Sequence, residues 1–257
     1  MFIAGRVAGL FTVVAAMVFT LVGLSLARKR PFHMRAIPGL KAVEEAVGRA
    51  TEMGKPIFYS PGYADVAGTT APPTLAGLNL LAHVGRLAAR YNTRLVTTVG
   101  HANTYALATE ILRNAYVVEG KVDSFDIGNV YFTSEVQFAF TAASVGLIQR
   151  EKPATAFLTG YFAAEAIVLA EATAATNSLS ISGTTNYFQI PFFMAACDYT
   201  MIGEEFLAAG AFISNDPDLI GSIAGQDYVK IVAIFALLLG AVLKSFGNDA
   251  ILNLLKR

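Results

Sequence analysis

The chain has 257 residues, 54% of them hydrophobic and only 15% charged, and its 19 basic residues balance 19 acidic ones. Soluble domains carry about 25% charged residues, so this composition excludes a disordered or highly charged tail protein, and the charge balance leaves no basic field for a nucleic-acid partner. The single cysteine, Cys197, excludes an intrachain disulfide framework and a multi-cysteine zinc site, and His33, His83 and His101 lie too far apart for a paired metal motif.

Residues 7–27 form an uncharged run rich in Val, Leu, Phe and Ala. As a helix it is about 30 Å long, the thickness of a bilayer hydrocarbon core. Arg28, Lys29, Arg30 and Arg35 follow it, against Arg6 before it. Residues 1–30 therefore read as a retained transmembrane anchor in the cell (inner or plasma) membrane, with lipid as a partner and the next domain in the cytoplasm. A cleaved signal peptide is the rival, but its apolar region is usually about 7–15 residues and its cleavage site small and uncharged.

Residues 35–227 change period repeatedly and read as one α/β domain. Residues 40–53 form an amphipathic helix, with Pro38 near its start and Gly54 and Pro56 as its stop. Residues 56–60 read as a strand closed by the Pro61-Gly62 turn, and 62–73 as a loop. A helix over 74–91 carries Leu80, Val84, Leu87 and Tyr91 on its apolar face; Asn79, His83, Arg86 and Arg90 fall opposite, which makes His83 a solvated-face residue. A second strand spans 94–99, followed by Gly100-His101 and a helix to about Val117. A third spans 129–133, with Ser134 capping a helix to Gln149; a fourth, 154–159, runs at Gly160 into a helix ending near Ala172. Residues 179–182 and 189–195 are candidate strands, and 204–213 a further helix. The stretch 172–197 is uncharged, but Gly183, Asn186 and Pro191 argue against another span. Strands separated by helices predict a Rossmann-like, mainly parallel α/β sheet flanked by helices.

Asn215 or Asp216 could cap a long helix beginning near Pro217. Within it, residues 228–247 are long enough for a second transmembrane helix, with Lys230 and Lys244 snorkelling, and 248–257 form a short amphipathic tail. A buried or interfacial helix packed on the anchor is the competing reading.

Two runs carry a family resemblance: RAIPGLKAVEEAVGRATEMGKPIFYSPG, from Arg35, and PFFMAACDYTMIGEE, from Pro191. Together with the flanking anchors they resemble a bacterial and archaeal family known only as a domain of unknown function, DUF6754. The resemblance implies a membrane-anchored α/β domain and brings no activity, cofactor or catalytic residue.

In open parallel sheets ligands bind beyond the carboxyl ends of the strands. The predicted strands put Ser60, Gly62, His101, Asn103, Glu135, Tyr161, Asn186 and Asp198 there as candidate ligand-binding residues. No GxGxxG follows the first strand and no GxxxxGK[ST] occurs, so no cofactor is indicated. His101 is the best acid–base candidate, its plainer role being a local cap. Ser60 before Pro-Gly fits a turn better than a nucleophile, and Cys197 a packed thiol. Glu165 and Glu171 fall within apolar helix sequence and need partners, either a ligand or an Arg of another subunit. No catalytic constellation emerges. The expected function is a membrane-tethered scaffold assembling laterally into a homo-oligomer. The alternatives are a small-molecule binder or enzyme using the strand-end loops, and an accessory subunit of a larger membrane complex.

Overall fold

The computed structural model describes residues 7–29, 37–214 and 217–246. They fall into two compact units, one formed by the two ends of the chain and one running from Ala36 to Ile213. The basic flank at Arg30 and Arg35, the cap at Asn215 or Asp216 and the tail 248–257 lie outside the described residues. In chain order the elements are α1 (Val7–Lys29), α2 (Pro38–Met53), β1 (Ile57–Gly62), α3 (Ala71–Tyr91), β2 (Leu95–Val99), α4 (Ala102–Val118), β3 (Val130–Phe132), α5 (Gln137–Glu151), β4 (Thr155–Tyr161), α6 (Glu165–Ala175), β5 (Leu179–Thr184), α7 (Ile190–Ala196), β6 (Tyr199–Ile202), α8 (Glu204–Ser214) and α9 (Pro217–Ser245).

In the α/β unit every strand pairing is parallel and the six-stranded order is β3-β2-β1-β4-β5-β6. This is the Rossmann-like order, with its direction of winding reversing between β1 and β4. Residues alternate between the two faces with the period of a strand. Ile57, Tyr59 and Phe157 enter a core covered by α2, α3, α4 and α8, while Phe58, Ala156 and Leu158 enter one covered by α5, α6 and α7. Both faces being covered, β1 and β2 are buried along their whole length, which is why they read as continuous rather than alternating apolar runs.

Four local expectations change. Residues 189–195, expected as a strand, form helix α7. The backbone N–H groups of Gln189 and Ile190 donate to the Asn186 carbonyl, and Pro191 stands in the first turn, where its missing N–H does no harm. The sixth strand is instead β6, an edge strand held in register by β5 from Ile181↔Tyr199 to Thr184↔Ile202. The loop expected over 62–73 is shorter, because a 3-10 turn at Gly68–Thr70 leads straight into α3 at Ala71. Ser134 turns the chain by accepting from Val136 N–H (3.1 Å), and α5 starts at Gln137. His83 also departs from its expected solvated face. It is half-buried, and its pKa is pushed down by burial and by Arg86, with Glu44 opposing.

In the other unit α1 and α9 run antiparallel. Arg28 forms a bidentate pair with Asp218 (2.7 and 2.9 Å). Further along the seam a Cβ on Gly23 would come within 2.4 Å of the Gly221 carbonyl, and one on Gly225 within 2.7 Å of Thr20 Cα. α9 is long and apolar enough to cross a membrane, and α1 is apolar over Val13–Arg28.

Candidate functional site

The carboxyl edge of the sheet is closed at the reversal point. β1 carries a bulge between Ser60 and Gly62 where it meets β4. Ser60 is fully buried; its Oγ donates to the Thr98 carbonyl (3.1 Å) and accepts from Gly62 N–H (3.2 Å). It ties β1 to β2 rather than facing a ligand. Gly62 has φ +89, and a Cβ there would lie 1.9 Å from the Tyr161 carbonyl oxygen, so both its conformation and its neighbour require glycine. α3 presses onto β4 next to it: a Cβ on Gly77 would come within 2.2 Å of the Thr159 carbonyl. The buried Tyr59 hydroxyl donates to the Gly77 carbonyl and shares a hydrogen bond with Thr159 Oγ1 (2.6 Å). Burial holds this phenol far above its ordinary range, so it stays a neutral donor. The first turn of α3 is Ala71-Pro72-Pro73. Two of its residues have no N–H, so this helix start lacks the amide cradle that binds a pyrophosphate.

The loops after β1, β2 and β3 bring a different group together. His101 begins α4 from extended backbone. Its Nδ1 lies 3.5 Å from Asp65 Oδ1 and its Nε2 3.7 Å from Glu135 Oε1, both at or beyond the long limit of a hydrogen bond. Nδ1 is buried and makes no hydrogen bond among the described residues. Asp65 is held by Val66 N–H (2.7 Å) and by Asn103 Nδ2, which reaches both carboxylate oxygens at 3.2 Å. An imidazole between two carboxylates can take up a proton, or pass one to a small polar ligand at this edge. His101, Asn103 and Glu135 therefore converge as expected of strand-end residues. Asp65 joins them from the short loop after Pro61-Gly62, which was legible as a functional loop but not as the source of this carboxylate.

Tyr161 stands on the far side of the β1 exit, its ring 6.2 Å from that of Tyr63. The Tyr63 phenol is pushed up by burial, then by the charge of Glu165 and by Tyr161. Glu165 is buried at the start of α6 and accepts from Ala163 N–H (2.9 Å) and Gln137 Nε2. Its partners come from its own chain, and Glu171 is exposed. Asn186 spends its side chain on the turn after β5, donating to the Phe162 carbonyl (2.8 Å) and accepting from Phe188 N–H (3.2 Å). Asp198 belongs elsewhere. It precedes β6, so it sits at the amino edge, where Oδ2 accepts from Ser180 N–H (2.7 Å) and Oγ (2.9 Å). The misplacement follows from reading 189–195 as the strand. Beside it the Cys197 thiol is pushed up by burial, against hydrogen bonds with Ser182 and Ser180, and so stays protonated and unreactive.

No curated protein and no solved structure matches the chain. A family model described as "Domain of unknown function (DUF6754)" matches residues 1–255. With its Rossmann-like sheet and almost its whole length covered by that match, the chain belongs to the DUF6754 family.

Proposed function

We propose that the chain is a membrane-tethered α/β domain that assembles laterally into a homo-oligomeric, ring-like scaffold. The observation that carries this reading is an apolar rim on the carboxyl edge of the sheet. Phe138, in the first turn of α5, is 73% exposed and Phe188, after β5, 83%; Phe132 at the end of β3, Val136 after it and Tyr187 after β5 are exposed as well. Large apolar groups left in water by one copy are what a subunit contact covers. The apolar helices α1 and α9 supply the tether, which holds copies in one plane and raises their effective concentration. Arg28, Lys29, Arg30 and Arg35 after the first apolar run favour a cytoplasmic α/β domain.

The test is the mass of the full chain in mild detergent by light scattering, with images of single particles. A discrete symmetric assembly that Phe138→Ser with Phe188→Ser breaks down is the expected result. Monomers at high concentration would overturn the reading, and a stoichiometric foreign partner would mark an accessory subunit instead.

A second reading, a small-molecule binder or enzyme at the membrane surface, draws on His101 lying between Asp65 and Glu135. A thermal-shift screen of small polar compounds tests it. A hit that is indifferent to both His101→Ala and Asp65→Asn would remove this site from consideration.

A further inference from the structure

The register of α1 against α9 sets a charged pair deeper than the span-end, snorkelling position that hydropathy gives Lys230. Arg28 closes the uncharged run of α1 and pairs with Asp218 at the start of α9. From there the contacts step Ala27 and Gly23 on Gly221, then Thr20 on Gly225, so α9 descends alongside the uncharged run. Asp227 and Lys230 follow about 14 and 18 Å below Asp218 at 1.5 Å per residue. With a core about 30 Å thick placed on the uncharged run of α1, rather than on the span 228–247 that hydropathy alone picks out, that is the middle. The two side chains pair with each other, Lys230 Nζ to Asp227 Oδ1 at 3.0 Å, yet they remain 42% and 60% exposed. Ile231, Ile234 and Phe235 stand exposed in the next turns of the helix. The pair therefore points away from α1.

Charged side chains in spans face other helices or water, because facing lipid is costly. We infer that Asp227 and Lys230 form a self-complementary patch through which the α1–α9 pair of one copy meets that of a second copy. This rests on the membrane-tethered assembly proposed above. An Asp and a Lys one turn apart are neutral together. Across a symmetric contact each carboxylate meets the neighbour's ammonium, so that the two patches match in charge without any foreign group. The apolar side chains around them then pack against the same neighbour.

The experiment uses two full-length variants with different tags, Asp227→Lys and Lys230→Asp, in mild detergent. Each alone puts like charges at the contact and is expected to lose at least tenfold in assembly by light scattering. Mixed in equal amounts, they are expected to co-purify and to regain the wild-type mass. The double variant Asp227→Lys with Lys230→Asp keeps the pair in each copy and is expected to assemble like the wild type, which reports that charged residues at these positions still insert and fold. Two results overturn the inference: single variants that assemble as the wild type does, or singles that dissociate and fail to rescue one another. A wild-type chain that is itself monomeric would instead remove the assembly reading on which the inference rests.

Discussion

The α/β unit and the α1–α9 pair both bring backbone against backbone at glycines, and they do so in opposite settings. In the α/β unit the Gly77 contact with β4 lies against a core in which Ile57, Tyr59 and Phe157 are fully buried. Burying each such side chain stabilises the fold by about 1.5–3 kcal/mol, and the glycine lets α3 settle on that core. In the helix pair the large apolar residues point outward: Val13, Met17 and Leu21 on α1, Phe235, Leu237 and Leu238 on α9 are all exposed. The seam holds Gly23, Gly221, Gly225 and Thr20. Water would drive the apolar surface inward; here small residues meet inside and large ones face out. That inversion suits an apolar solvent, where helices associate by close contact rather than by the hydrophobic effect. One unit buries its large apolar side chains away from water, and the other turns them outward as an apolar solvent would favour.

Three substitutions probe that contrast, in falling order of effect. Gly77→Val should do the most damage, because its Cβ would meet the Thr159 carbonyl, which cannot rotate away. We expect a loss of about 3 kcal/mol or more in urea unfolding; a wild-type midpoint would mean that α3 does not press on β4. Gly23→Leu should act on the helix pair alone. With Arg28→Cys and Asp218→Cys in a Cys197→Ser background, its disulfide yield should fall at least tenfold while the α/β unit melts as before. A melt that drops in step would erase the separation of the two units. Tyr59→Phe should be milder. It leaves the Gly77 carbonyl and Thr159 Oγ1 short of a buried partner, about 1–2 kcal/mol by the same unfolding measurement.

The sequence was most legible where one element alone decides its own structure. β1, β2 and β4 are buried on both faces, so their apolar runs announce them, and α2 ends on Gly54 in the left-handed conformation that the Gly-x-Pro pattern implies. It was least legible where a distant partner decides. β6 is a four-residue edge strand whose identity comes from β5, and the apolar run before it was free to look like a strand until Asn186 and Pro191 turned it into α7. The site divides in the same way. His101, Asn103 and Glu135 follow from being next to strand ends. Asp65 and the closure of the edge by Gly62, Gly77 and Pro72-Pro73 depend on how α3 lies on β4. Nor could hydropathy alone reveal that Asp227 and Lys230 stand beside the uncharged part of α1, since that is a matter of register between two helices 190 residues apart in sequence at Arg28 and Asp218.

The smallest effect separates the units by pH. His83 is half-buried on α3, and its charged form is disfavoured first by burial, then by Arg86, against the pull of Glu44 and with a further push from Arg90. Its folded pKa therefore lies below the ordinary value of 6.5 that the unfolded chain retains. Between those two values the unfolded state binds a proton that the folded state does not, so stability falls as pH drops below 6.5 and is fully present above it. The described parts of α1 and α9 contain no histidine. Acidification from neutral pH should thus lower the urea midpoint of the α/β unit through His83 while leaving the Arg28→Cys/Asp218→Cys cross-link untouched. His83→Gln should remove its share of that slope. If the slope is identical with and without the imidazole, His83 is solvated after all, and the packing of α2 along α3 is looser than its half-burial implies.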